Sequence, residues 1–289
     1  MIATLARRHL RLFFRDRMAV FFSLLSAIVL FGLYKLFLGN LQTTGLAQQF
    51  PRVATGDISA FVDSWMFAGI ITVTTVTTGL SALEVFVNDR ASGRFKDFVV
   101  SPLSRAQLIG GYMLSSFAIS TIMSLLVVAF SLTLLGLSGA PLPPGAAAQV
   151  AGYTVLLCLT FSAISAFTVT FVRTTGAFSS LAALVSTFAG FVAGAYLPMG
   201  IMPTGVQHVL AVLPFAPAGM LLRSPMTAHA LDGLAGGRPA TAQALKDTYG
   251  MALEAGSFQV TTAMTVIALS ALAVIFALLG AWRLGKTLG

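Results

Sequence analysis

Six stretches of this chain, at about 18–38, 65–87, 108–137, 147–172, 177–197 and 260–282, are each apolar over some twenty residues or more. A helix needs about 20 such residues to cross the hydrocarbon core of a bilayer, where every backbone N–H and C=O must be satisfied within the segment itself. That requirement constrains the fold to an all-α polytopic membrane protein with six transmembrane helices. Composition agrees, since only 9% of the 289 residues are charged, against about 25% in an ordinary soluble domain. The first stretch is too long for a cleavable signal sequence and no small-x-small site follows it, so it is expected to stay as a membrane anchor.

The basic excess, 17 Lys and Arg against 9 Asp and Glu, is too sparse to build a broad phosphate-binding face, which excludes nucleic acid as a partner. Its placement is informative instead. With the N-terminus inside, five arginines before the first span, Arg90, Arg94, Lys96 and Arg105 after the second, Arg173 after the fourth, and Arg283 and Lys286 after the sixth share one side. The other side receives Lys35, Arg52, Arg223, Arg238 and Lys246, spread over longer loops. The asymmetry predicts cytoplasmic N- and C-termini. The lone cysteine, Cys158, lies in an apolar run, and His9, His208 and His229 show no ligand spacing, so no metal site is expected.

Residues 1–17 project as a helix with Arg7, Arg8, Arg11 and Arg15 within about one third of the circumference. A generic topology signal is the competing reading, and the apolar remainder of the helix favours an amphipathic helix lying in the interface. After the fifth span, residues 198–225 are apolar but interrupted by Pro198, Pro203, Pro214 and Pro217, too often for a crossing. A re-entrant outer helical hairpin fits this pattern. Residues 226–257 turn polar and read as an external loop.

The ending GAWRLGKTLG places Gly280, Gly285, Lys286 and Thr287 at the spacing of a phosphate loop. Such a loop follows a buried strand and opens a helix. Here a long apolar run precedes the glycines and two residues follow Thr287, so this chain is not expected to hydrolyse ATP itself. No catalytic arrangement appears in the spans, and the chain is not read as an enzyme.

Between the second and third spans the sequence reads VNDRASGRFKDFVVSPLSRAQLIGGY, residues 87–112. Ser101-Pro102 breaks the segment, and Ser104 with Gln107 forms a capping box for the next helix. Asn88–Val100 is therefore expected as a short separate helix, carrying charges alongside Phe95, Phe98 and Val99. Two readings stand: docking into a groove on a partner, or an amphipathic turn resting on lipid.

Other candidates lie within the spans. Thr72, Thr75 and Thr78 recur at helical spacing and are candidates for a partly polar substrate path, although hydroxyls in membrane helices commonly bond back to their own backbone. Glu84, near the inner end of the second span, is a candidate functional acid, with a paired interface group, partnered by Arg173, as its competitor. Gly190 and Gly194 in GFVAG form a small-xxx-small face for dimerisation or for packing within the chain.

The order of a basic interfacial helix, a charged loop closing on SPLSRAQLIGGY, and the outer stretch LPMGIMPTGVQHVLAVLPFAPAGMLLR resembles the ABC-2 (type V exporter-like) permeases over essentially the whole chain. That family includes drug, lantibiotic and daunorubicin-resistance export permeases, with polysaccharide exporters as relatives. The resemblance implies a single transmembrane domain over 1–289 whose 88–100 segment is a coupling helix, with Asp89, Arg90, Arg94, Phe95, Asp97 and Phe98 meeting the ATPase. Many relatives carry a Glu-rich loop there, where this chain reads NDRASGRFKDF. It further implies a location in the inner (plasma) membrane, two copies of a separate ABC ATP-binding subunit that hold the ATP and Mg, no cofactor on this chain, and pairing as a homodimer. With so few charges at depth, the expected substrate is amphipathic or hydrophobic, as in multidrug resistance. A lipid-linked polysaccharide is the alternative cargo. An ion-coupled secondary carrier is less well supported, because neither mid-span charges nor inverted repeats occur.

Overall fold

The computed structural model describes residues 2–94, 105–256 and 258–287. An amphipathic helix α1 (Ile2–Arg15) leads into α2 (Arg17–Leu33), which passes through a π-helical turn (Tyr34–Leu38) into α3 (Gly39–Gln49). There follow α4 (Thr55–Ser81), α5 (Glu84–Ala91), α6 (Arg105–Leu137), α7 (Pro144–Val169) and α8 (Thr175–Val192). A 3₁₀ turn (Met199–Ile201) precedes α9 (Thr204–Val212), α10 (Phe215–Ala235) and α11 (Pro239–Tyr249). Strands β1 (Leu253–Ala255) and β2 (Phe258–Val260) pair antiparallel, with Glu254 opposite Gln259, before α12 (Thr262–Thr287).

Six of these segments are long and apolar enough to cross a membrane: Val20–Gln49, Thr55–Ala91, Gln107–Leu137, Pro144–Val169, Thr175–Val192 and Thr262–Arg283. The first runs about three turns beyond the expected 18–38, because the π turn keeps the chain helical through a polar stretch that reads as a loop. The second begins at Thr55 rather than near 65. Its extra turns carry Ile58, Phe61 and Val62 inward, all buried.

Burial identifies the central element. Within the chain 78% of the most apolar stretch of Thr55–Ala91 is buried, against 12% for Val20–Gln49 and 17% for Thr175–Val192. Helix α4 packs against α6, α7, α8 and α10, while α2, α8 and α12 keep most of their surface open. Lipid is as apolar as leucine, so close packing and interhelical hydrogen bonds hold such a bundle, rather than transfer from water. Small residues and hydroxyls supply both. Gly69 meets Ala195 so closely that an added Cβ would lie 2.9 Å from the alanine methyl. Ser116 donates to the Gly79 carbonyl at 2.6 Å, and Thr160 to the Leu269 carbonyl at 3.1 Å. Each such bond contributes roughly 0.6 kcal/mol on average in a membrane bundle.

The region after α8 is more ordered than its polarity suggests. Helices α9 and α10 meet at an angle of 88°, with Leu213 extended and Pro214 opening the second helix. Helix α10 does not stop at 225. It carries Pro225 within it and ends at Gly236, whose left-handed φ of 56° closes the helix. The stretch expected as an external loop, 226–257, thus holds the end of α10, all of α11 and strand β1. Its periodic apolar residues Leu231, Leu234, Leu245 and Tyr249 are buried. The charges between them mask that periodicity in the sequence.

Candidate functional site

The connection after α4 forms the centre of one end of the bundle. The chain turns through Ala82 and Leu83 and restarts as α5, with Glu84 in its first turn, where a carboxylate faces the positive end of the helix dipole. Helix α5 ends at Ala91, and Gly93, at a φ of 77°, completes the turn that follows. The single helix expected over Asn88–Val100 therefore does not form as such, because its first residues belong to the last turn of α5. Phe95, Asp97 and Phe98 lie outside the described residues.

Asp89 was expected on a partner-facing surface, yet it is 0% exposed. Its Oδ2 accepts from the Tyr112 hydroxyl at 2.8 Å and faces Arg8 Nη1 at 3.5 Å, while Oδ1 accepts from Arg94 Nη1 at 3.0 Å. One carboxylate thus ties α1, α5, the turn after α5, and α6. A buried charge is tolerated where its lone pairs are used in this way. Both guanidinium groups are partly exposed, with side-chain exposures of 41% for Arg8 and 59% for Arg94. Arg90 is also committed internally, donating to the carbonyls of Thr170 (2.8 Å) and Val172 (3.2 Å) beyond the end of α7. Of the described residues proposed to meet an ATPase, Arg94 alone keeps most of its side chain open.

Two further residues complete this node. His9 stacks on Tyr112 with ring centroids 4.2 Å apart, and its Nδ1 lies 3.4 Å from Ser115 Oγ. Burial first, and then the nearby Arg8 charge, lower its pKa from 6.5 to about 4, with Asp89 pulling the other way. The imidazole is therefore neutral at physiological pH. Gly111 explains how α1 comes so close, because an added Cβ there would sit 2.6 Å from Leu5 Cδ2. The Gly110-Gly111-Tyr112 run thus has a physical role: the second glycine admits α1, and the tyrosine reaches the acid.

Beside the node lies a cavity of about 850 Å³. Helix α1 contributes His9 and Phe13, Asp16 follows it between α1 and α2, α2 contributes residues from Phe22 to Leu33, α4 contributes Val73 to Ser81, and α5 contributes Glu84 and Asn88. At 1.5 Å per residue, the lining of α2 alone extends about 17 Å. The cavity is polar where α1 and α5 meet, and largely apolar along α2.

The threonines divide between two faces. Thr78 lines the cavity together with Thr74 and Thr77, whereas Thr72 and Thr75 are fully buried away from it. All five hydroxyls bond back to carbonyls of their own helix, as with Thr72 to Ala68 (2.8 Å) and Thr75 to Thr72 (2.7 Å). Of the three threonines read from the sequence, Thr78 alone reaches the cavity, and its neighbours there are Thr74 and Thr77. With threonines on every face of α4, spacing alone could not choose between these sets.

Glu84 is exposed and lines the cavity, and it makes no ion pair with Arg173 or any other described residue. Gly190 and Gly194 both serve the chain's own packing. A Cβ on Gly190 would fall 2.1 Å from the Tyr196 ring, and Gly194 adopts a φ of 64° against Met199 and Arg223. Both glycines thus admit close approach within the chain. The phosphate-loop spacing also finds its setting here, since the backbone is helical through Thr287, and a helix does not cradle phosphates as a loop does.

These features define a multi-pass membrane protein with a side cavity joined to a polar node at one end. Residues 1–227 match the family model described as ABC-2 type transporter. The chain belongs to that family, and it is a membrane transport subunit of an ABC transporter. The match spans α1, the node, every cavity wall and most of α10. No curated protein matches the chain.

Proposed function

We propose that this chain is the permease of an exporter that moves an amphipathic or hydrophobic substrate out across the plasma membrane. In this reading both termini and the node are cytoplasmic, and two ABC ATP-binding subunits dock beneath two copies of the chain. The 88–100 segment receives their movement. The observation that carries the reading is the continuity between that segment and the cavity. Arg94 and Asp89 connect the loop to α1 and α6, and α1, α4 and α5 are themselves cavity walls. A displacement of the loop therefore shifts the walls as a unit, which is the differential contact that coupling requires. The exposed apolar faces of α2 and α8, including Phe21, Phe22, Phe188 and Phe191, supply surface for lipid and a second permease.

The test uses the chain purified with its native companions from its own membrane. Inside-out vesicles should accumulate a hydrophobic dye when ATP is added, and a cysteine placed at Ser92 should react with impermeant reagents only from the cytoplasmic face. ATP hydrolysis by the chain alone, or labelling of Ser92→Cys from outside, would overturn the proposal.

A further inference from the structure

We propose that the polar end of the cavity is a receptor for a positively charged headgroup, and that Glu84 is its counter-charge. The ligand class is then an amphiphilic monocation: a protonated amine or quaternary onium group carrying an apolar body. The inference rests on the cavity being the substrate's site.

The charges around the cavity carry the first step. Its ionisable lining consists of Asp16, Glu84 and Asp89 against Arg94, with His9 held neutral. Asp89 is already engaged by Arg8, Arg94 and Tyr112, so its charge and that of Arg94 answer each other within the protein. Glu84 stands apart, with an exposed carboxylate on the cavity wall and no cationic partner among the described residues. Asn88, one helical turn further along the same face of α5, adds a neutral amide beside it. Phe13 and Phe22 line the cavity, and aromatic faces favour onium groups over anions.

The rest of the wall fixes the other half of the ligand. The hydroxyls of Thr74, Thr77 and Thr78 donate to their own backbone, so these three offer the ligand no donor. Val29, Leu30, Leu33 and Val73 continue it as hydrocarbon. A volume of about 850 Å³ suits a drug-sized molecule.

Tetraphenylphosphonium, tetraphenylborate and tetraphenylsilane share one shape and carry charges of plus one, minus one and zero. Their binding is measured on the full-length chain in nanodiscs, against lipid-only nanodiscs. The expected order is phosphonium tightest, silane weaker and borate weakest. Glu84→Gln should weaken phosphonium binding about tenfold, leave silane unchanged, and be partly restored in Glu84→Asp, in line with loss of one opposite charge near the cation. Thr77→Trp, which fills the cavity, should abolish binding of all three. If Glu84→Gln has no effect, or borate binds as well as phosphonium, while Thr77→Trp still abolishes binding, the headgroup assignment falls and the cavity reading stands. Binding that ignores Thr77→Trp overturns both.

Discussion

The hydroxyl of Tyr112 lies 2.8 Å from Oδ2 of Asp89, joining residues on two helices through a carboxylate that has no exposure to solvent. Asp89→Asn keeps the shape but removes the charge that Arg8 and Arg94 address, and an amide nitrogen then faces a donor. Thermal unfolding in detergent should show a loss of about 3 kcal/mol, at the lower edge of the range for a broken buried ion pair. Tyr112→Phe, which leaves the carboxylate one bond short, should cost about 1–2 kcal/mol. Arg8→Gln should cost less than 1 kcal/mol, because its half-exposed guanidinium is screened. Equal effects from all three would refute the ranking.

Gly111 is where α1 touches α6. Gly111→Ala drives a methyl group into Leu5 and should destabilise the chain by about 1–3 kcal/mol. Adding Leu5→Ala removes the clash and should recover much of that loss. A double-mutant cycle measures the coupling, and simple additivity would mean that α1 is not held at this contact.

His9 gives the node a pH dependence whose sign follows from its neutral, buried state. Below about pH 6.5 the unfolded imidazole takes up a proton that the folded one refuses until about pH 4. The unfolded state then binds more protons, so stability falls as pH drops through that window and is level above it. Melting temperatures at pH 7.5 and 5.5 should differ more for the native sequence than for His9→Gln. An unchanged difference in the variant would locate the dependence elsewhere.

Arg223 is fully buried, donates to the Ala193 carbonyl at 2.6 Å and lies over the Trp65 ring. Its Nε and Nη1 find no hydrogen-bond partner among the described residues. Removing such a charge relieves desolvation as it removes contacts. Arg223→Met should therefore change stability by no more than about 1 kcal/mol. Arg223→Lys, which keeps a charge but loses the planar fork, should be worse. A large loss in the methionine variant alone would contradict this.

The spans were legible because bilayer thickness imposes a length on apolar sequence, and α1 was legible because its arginines segregate to one face. The node was not. Asp89 reads as a surface charge until Tyr112 and Arg8, 23 and 81 residues away, are brought to it. Gly111 was quoted in the motif without a role, since a glycine's value here lies in the Leu5 side chain opposite. After α8, Pro214 stands at the break between α9 and α10. Pro217 does not interrupt α10, because it sits in the first turn, where no intrahelical N–H is needed, and the charges of α11 hid a buried apolar stripe.

The contacts of Arg223 also set an order of assembly. Trp65 and Ala193, which frame it, belong to segments that leave the ribosome earlier, whereas Gly250, whose absent side chain leaves room for the guanidinium, emerges later. The newly made protein therefore holds an arginine not yet covered by Gly250 until the segment after α11 arrives. Ribosome-bound chains truncated near residue 240 should leave that guanidinium open to chemical modification, and full-length chains should protect it.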